Sequence, residues 1–281
     1  MNRKASVSWK LSGFGDEIDA DPTVQVAVLQ ALGANHIEVR SAWDTNVVEM
    51  SQAQLADLAA LFTAKGIRVS AIASPIGKVD VGLPVEHEVE RLGRAISAAE
   101  TLGTSYIRIF SFHYGSRDVE TVRGDVMTRM RALAKIAEEA GVILLHENEK
   151  DIFGDIPSRV LDIIETVNSP ALRVAWDAAN FVQVGVKPFD DAYSLLRPHL
   201  EYLQVKDASF ADSTVRPAGE GDGQLQPTIN ALRDSGYSGF ASLEPHLTGA
   251  FGLGGFSGPA AFGVAARAFA RVVAKAGVEL V

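Results

Sequence analysis

Gly141-Val142-Ile143-Leu144-Leu145-His146-Glu147-Asn148-Glu149-Lys150 is an unbroken apolar run that ends abruptly in ligand-type side chains. The aliphatics Val142, Ile143, Leu144 and Leu145 suit a strand covered on both faces, as in a parallel sheet wrapped by helices. The polar cluster then falls at the carboxyl end of the strand. In parallel α/β folds that end is where sites are built.

Working outward, the same punctuation recurs. An amphipathic stretch, a glycine and a short apolar run appear at Gly33 before HIEVR, Gly66 before IRVSAIA, Gly103 before SYIRIF and Gly141 before VILLHE. Each glycine suits the left-handed position just past a helix. Residues 85 to 102 give the clearest helix, with Val85, Val89, Leu92, Ile96 and Ala99 on one stripe. The second half adds LRVAWD, EYLQVKD and GFASLE, and the chain opens with WKLSGFGD. That makes about eight strands alternating with helices, which predicts an α/β fold, a single (β/α)8 TIM barrel in one domain over 1–281. An open doubly wound sheet is the alternative, and no G-x-G-x-x-G follows a strand to favour it. Two glycine-rich stretches, 217–224 and 248–259, read either as surface connections or as a lid. Phe251 and Phe256 tip the second toward a lid, because a solvated loop gains nothing by exposing them.

Composition narrows the function. With 35 acidic against 26 basic residues the formal charge is −9, which opposes binding of a nucleic-acid backbone, and no basic patch stands out. The absence of cysteine removes disulfides, thiolate nucleophiles, zinc–thiolate sites and iron–sulfur clusters. The segment MNRKASVSWK lacks the apolar core of a signal peptide, and no run reaches transmembrane length. The expected partner is a small molecule, with no nucleic acid and no membrane, in the cytoplasm.

The strand ends carry the chemistry. Strand five ends in His146-Glu147-Asn148-Glu149, strand six in Trp176-Asp177, strand seven in Gln204-Val205-Lys206-Asp207 and strand eight in Glu244-Pro245-His246. In a barrel, equivalent positions on neighbouring strands face one bowl, so Glu147, Asp177, Gln204 and Glu244 would converge on one divalent ion. Taken singly, each acid reads as a cap on the following helix; four together read as a shared site.

This set resembles the xylose-isomerase-like (β/α)8 superfamily of sugar isomerases and epimerases, which also includes inosose dehydratases and type IV endonucleases. The resemblance covers nearly the whole chain. It implies that Glu147 in LLHENE, Asp177 in AWDAANF, Gln204 in QVKD and Glu244 in SLEPH bind one divalent metal, and homodimers are common in the family. Gln204 stands where the family usually has histidine, which makes the donor set all-oxygen. Mn2+ or Mg2+ is therefore expected rather than Zn2+. Asn180 stands where many epimerases of the family have a substrate-contacting histidine.

Around that bowl, Lys206 faces the ion and is a catalytic candidate, donating to a ketone or hydroxyl oxygen; its bland alternative is a salt bridge to Asp207, Glu147 or Glu149. Glu149 is a rim residue or a partner of Lys150 or Arg108, His146 points into the helix layer, and His246 is a substrate contact. Arg108 is either a substrate contact or half of a buried pair with Glu38. Lys78 is a loop cation, and Trp43 and Trp176 either stack on a sugar or pack in the core. The reaction expected is isomerisation or epimerisation of a sugar or polyol ketone, with Glu147 and Glu244 moving the proton next to a metal-bound carbonyl. A lyase of an inosose-like or 3-keto sugar uses the same enolate. A non-catalytic sugar-binding protein is the reading from a different class. The endonuclease chemistry would need further zinc ligands and a cationic face.

Overall fold

The computed structural model describes residues 7–251 and 254–281. The barrel strands are β1 (Val7–Gly13), β2 (His36–Val39), β3 (Arg68–Ala73), β4 (Tyr106–Ile109), β5 (Ile143–Glu147), β6 (Leu172–Asp177), β7 (Leu200–Val205) and β8 (Phe240–Leu243). All neighbouring pairs from β2 to β8 are parallel, and β8 pairs with β1 from Lys10↔Phe240 to Gly13↔Leu243. A single parallel bridge, Phe14↔Glu38, joins β1 back to β2 and closes the ring. A ninth strand, β9 (Val278–Leu280), adds to the outer half of β1. This is the expected TIM barrel.

The sequence signals act where they were read. After α1 (Pro22–Ala31), helices α2 (Gln52–Lys65), α3 (Val85–Leu102) and α4 (Val119–Ala140) end at Gly66, Gly103 and Gly141, each left-handed. α2 starts with a reciprocal capping box between Ser51 and Gln54. The βα alternation weakens once. After β6 comes only a short helix, Ala178–Gln183, then a π-helical turn at Pro188–Tyr193, so this sector lacks one long amphipathic helix.

Two packed regions follow. A large apolar cluster, running from Trp9 to Val278 along the chain, fills the space between strands and helices. Inside the barrel, Ala71, Leu145, Ala175 and Tyr202 form a separate plug. Polar groups adjoin that plug: the Tyr202 hydroxyl donates to Glu38 Oε2 at 2.9 Å, and Ser70 and Ser12 share a 2.7 Å hydrogen bond. Burial pushes the Glu38 carboxyl up to about 7, against the opposing pull of Arg108. Because its folded-state value lies above the ordinary 4.5, Glu38 stabilises fully only below that pH and loses its contribution as pH rises toward 7. Glu38→Gln, which mimics the protonated acid, is expected to gain on the parent by about 3 kcal/mol at pH 8 and by nothing near pH 4. Denaturant unfolding across that range checks it; a gain that does not change with pH would refute the assignment.

The glycine-rich stretch 217–224 is pinned. Asp207 accepts from the backbone N–H groups of Gly219, Gly221 and Gly223 at 2.8, 3.1 and 2.8 Å. A Cβ on Gly221 would lie 2.4 Å from Asp207 Oδ1, so glycine is required for that approach. In 248–259 a short hairpin pairs Gly249–Phe251 with Gly254–Phe256. The tip of this expected lid, 252–253, and the Phe251 side chain lie outside the described residues. Among the described residues, no helix is long and apolar enough to cross a membrane.

Candidate active site

Alternation along each strand sorts the strand-end residues. On β5, Leu145 and Glu147 face the lumen, while His146 packs outward against Gly154. Burial alone pushes His146 down to about 3, so it is a neutral imidazole. On β7, Tyr202, Gln204 and Lys206 share the inward face. Glu147, Asp177 and Glu244 bring carboxylate oxygens within 4.8 Å of one another, all three buried.

Each member of the trio has its own support. Glu147 Oε2 accepts from Arg108 Nη1 at 2.9 Å, and its Oε1 accepts from Asn180 Nδ2 at 3.0 Å. Asp177 Oδ1 caps the short helix through the Asn180 backbone N–H at 2.9 Å, while Oδ2 lies 2.8 Å from Lys206 Nζ. Asp177 is thus both a helix cap and a bowl residue. Glu244 Oε2 accepts from Lys206 Nζ at 3.1 Å, and Oε1 accepts from Arg40 Nη1 at 3.1 Å. Asn148 locks the ends of β5 and β6 together, exchanging two hydrogen bonds with the Asp177 backbone.

Electrostatics differ within the trio. Burial would raise Glu244, but Lys206, His246 and Arg108 hold it well below the usual carboxylate range. Burial, helped by Glu147 and Glu244, pushes Asp177 up in spite of Lys206. Burial would lower Lys206, yet Asp177, Glu244 and Glu147 keep it firmly protonated. His246, 3.1 Å from Glu17 Oε1 and 3.3 Å from Glu244 Oε1, ends at about 8 because these carboxylates outweigh burial and Lys206.

The donor set fits a hard divalent cation. The three carboxylates converge, and Gln204, in register with Asp177, is fully buried with neither amide atom hydrogen-bonded among the described residues. A buried, unpartnered amide oxygen beside three carboxylates is costly unless it ligates. The donors are all oxygen, as manganese and magnesium prefer.

Above the trio lies an inner cavity of about 40 Å³, lined by Arg40, Arg108, Glu147, Lys206, Glu244 and His246 among others. It meets an outer cleft of about 380 Å³, where Lys78, Glu149, Lys150, Asn180, Lys206 and His246 face the opening. Glu149 is a rim residue, paired at 3.0 Å with Lys78 rather than with Lys150 or Arg108.

Several expectations are corrected. Arg108 does not pair with Glu38. It is in register with Ala73 whereas Glu38 is in register with Ala71, one inward layer below, so its guanidinium reaches Glu147 instead. Trp176, expected at the substrate, is placed away from it: it precedes inward-facing Asp177, so it turns outward, fully buried, and packs on Phe181 and Tyr193. Lys206 bridges Asp177 and Glu244, not Asp207, Glu147 or Glu149. Asn180 spends its amide donor on Glu147 and the Asn148 carbonyl, and so positions Glu147 at the edge of the cleft.

Three residues escaped the sequence reading. Glu17 holds the His246 backbone N–H at 2.9 Å and Ser257 Oγ at 2.8 Å. Asp16 receives Arg40 Nε at 2.7 Å. Both acids follow β1 in SGFGDE, the same apolar-to-acidic transition that marked β5. Phe14, in the same stretch, lies under both guanidiniums, 5.0 Å from Arg40 and 5.4 Å from Arg108.

The chain is similar to known proteins in sequence and in fold. Over 158 residues the chain is 27% identical to 2-epi-5-epi-valiolone 7-phosphate 2-epimerase from Actinoplanes sp., covering 56% of this chain and 57% of that protein. Over 186 residues it is 24% identical to 3-dehydroshikimate dehydratase from Bacillus anthracis, covering 59% of this chain and 65% of that protein. The matches therefore span less than two thirds of these relatives' own lengths. A D-tagatose 3-epimerase-like protein superposes with TM-score 0.77 at 15% identity, over 95% of this chain and 98% of that one, which is a likeness of fold. The model of the xylose isomerase-like TIM barrel family matches residues 26–269, and the chain belongs to that family.

Proposed function

We propose that this protein is a divalent-metal-dependent isomerase or epimerase that removes a proton from the carbon next to a ketone in a sugar or polyol and returns it to the opposite face. The observation that carries this reading is the pair Glu147 and Glu244, two buried carboxylates in one trio, each oriented by its own cation beneath an open cleft. The epimerase and dehydratase relatives support the shared step, since epimerisation and dehydration of a ketone-bearing polyol can both begin with that proton.

Glu147, Asp177, Gln204 and Glu244 would hold the ion, Mn2+ or Mg2+ rather than Zn2+. When bound, it supplies Lewis-acid polarisation that acidifies the neighbouring C–H bond. The protein's own groups do the rest. Glu244, kept anionic by the surrounding cations, accepts the proton on a carboxylate oxygen. Glu147, steadied by Arg108 and Asn180, takes a proton from solvent through the cleft and passes it to the other face, while Glu244 releases its own to solvent. Lys206 and His246 donate to substrate oxygens and stabilise the developing negative charge. Glu149 and Lys78 bind hydroxyls at the rim.

A lyase is the second reading, favoured by His246. Protonated up to about pH 8 and facing the cleft, it can act as the acid that assists a leaving hydroxyl. Incubating Mn2+-loaded protein in deuterated water with a panel of ketoses and inososes tests both. Deuterium at the α-carbon with mass otherwise conserved supports the epimerase, and loss of water supports the lyase. Tight ligand binding without any exchange would defeat both in favour of a binding protein.

A further inference from the structure

The oxygens of the trio are nearly all committed. Asp177 Oδ1 is held by the helix it caps, which leaves Oδ2 as its free ligand atom. Glu244 Oε1 is held by Arg40, with His246 beside it, which leaves Oε2. Those two remaining oxygens are the ones that Lys206 Nζ bridges, at 2.8 and 3.1 Å, with the lysine side chain only 3% exposed. A cation that took Asp177 and Glu244 through these two oxygens would compete with the ammonium for them.

We infer that Lys206 is a built-in counter-cation of the metal site: it neutralises the carboxylate trio before the metal arrives, and loading displaces it into the outer cleft, where it meets Glu149 and the substrate. This rests on the proposed metal-dependent reading. Two features of the bowl support the exchange. An unscreened cluster of buried carboxylates would be strongly destabilising, so a cation or a proton has to neutralise it, and here the ammonium of Lys206 sits between two of the three. Lys206 also has somewhere to go, because it lines both the inner cavity and the outer cleft, and Glu149 lines both as well. Lysine suits the role better than arginine, since its compact ammonium on a four-carbon stem can withdraw by rotation. Gln204, two residues earlier on the same inward face, stays behind as the neutral fourth donor. The exchange puts the metal in place and a hydrogen-bond donor at the substrate in one movement.

The test is Mn2+ binding by calorimetry to chelator-stripped protein, with thermal unfolding beside it. Lys206→Met is expected to bind Mn2+ at least tenfold more tightly than the parent, and its stripped form to melt lower. Glu149→Gln, which keeps Lys206 but removes its destination, is expected to bind Mn2+ severalfold more weakly and covers the case in which Lys206→Met does not fold. Equal or weaker Mn2+ binding by Lys206→Met, or unchanged binding by Glu149→Gln, overturns the exchange while leaving the metal reading intact. Failure of Mn2+ to bind any of the three proteins overturns both.

Discussion

Glu244→Gln, folded and saturated with Mn2+, is expected to lose about 10²–10⁴-fold in α-proton exchange, the contribution of a positioned general base. Glutamine keeps the size and one oxygen of the side chain but cannot accept the proton. Glu244 is also the most heavily cation-supported acid of the bowl, with Arg40, Lys206 and His246 around it, so it is the group most firmly held as a base at neutral pH. Glu147→Gln should lose a comparable factor in epimerisation, because protonation of the other face depends on it. Measuring both at saturating metal separates lost proton transfer from lost ligation. Exchange at the parent rate in saturated Glu244→Gln, or epimerisation at the parent rate in saturated Glu147→Gln, would rule out the two-carboxylate reading.

Arg108→Met is the substitution expected to harm the fold most. The guanidinium is buried, donates to Glu147 at 2.9 Å and lies against Phe14 and Phe110 at 5.4 and 4.6 Å. Methionine can fill the apolar space between the rings but leaves the Glu147 charge without its ion-pair partner. Breaking a buried pair from one side costs about 3–5 kcal/mol, much of it the uncompensated charge. The double variant Arg108→Met/Glu147→Gln removes that charge and should recover a large part of the loss. Denaturant unfolding of stripped protein checks the cycle. A single-variant loss below about 1 kcal/mol, the scale of an exposed pair, would mean that solvent reaches this pair.

Much of this was legible along the chain. The glycine-terminated helices and apolar runs specify the barrel because left-handed caps and covered strands are local features, set by residues adjacent in sequence. The Glu147, Asp177 and Glu244 cluster was also legible, since period-two alternation and a common strand end are enough to aim three side chains at one bowl. The same rule turns Trp176 outward, onto Phe181 and Tyr193.

Partnership was another matter. Nothing local separates Arg108 bound to Glu38 from Arg108 bound to Glu147; the stagger between β2, β3 and β4 decides it by placing Glu38 one layer down. Nor does QVKD reveal that Lys206 reaches past its sequence neighbours to Asp177 and Glu244. Glu17 enters the site only because ring closure brings the end of β1 beside β8, more than two hundred residues away in the chain. The sequence by itself determined which side chains stand at the mouth of the barrel, because strand periodicity is a backbone property. Which charge neutralises which was decided only by the tertiary structure, because Coulombic pairing in a dry interior depends on separations of a few ångströms between strands that the chain does not connect directly.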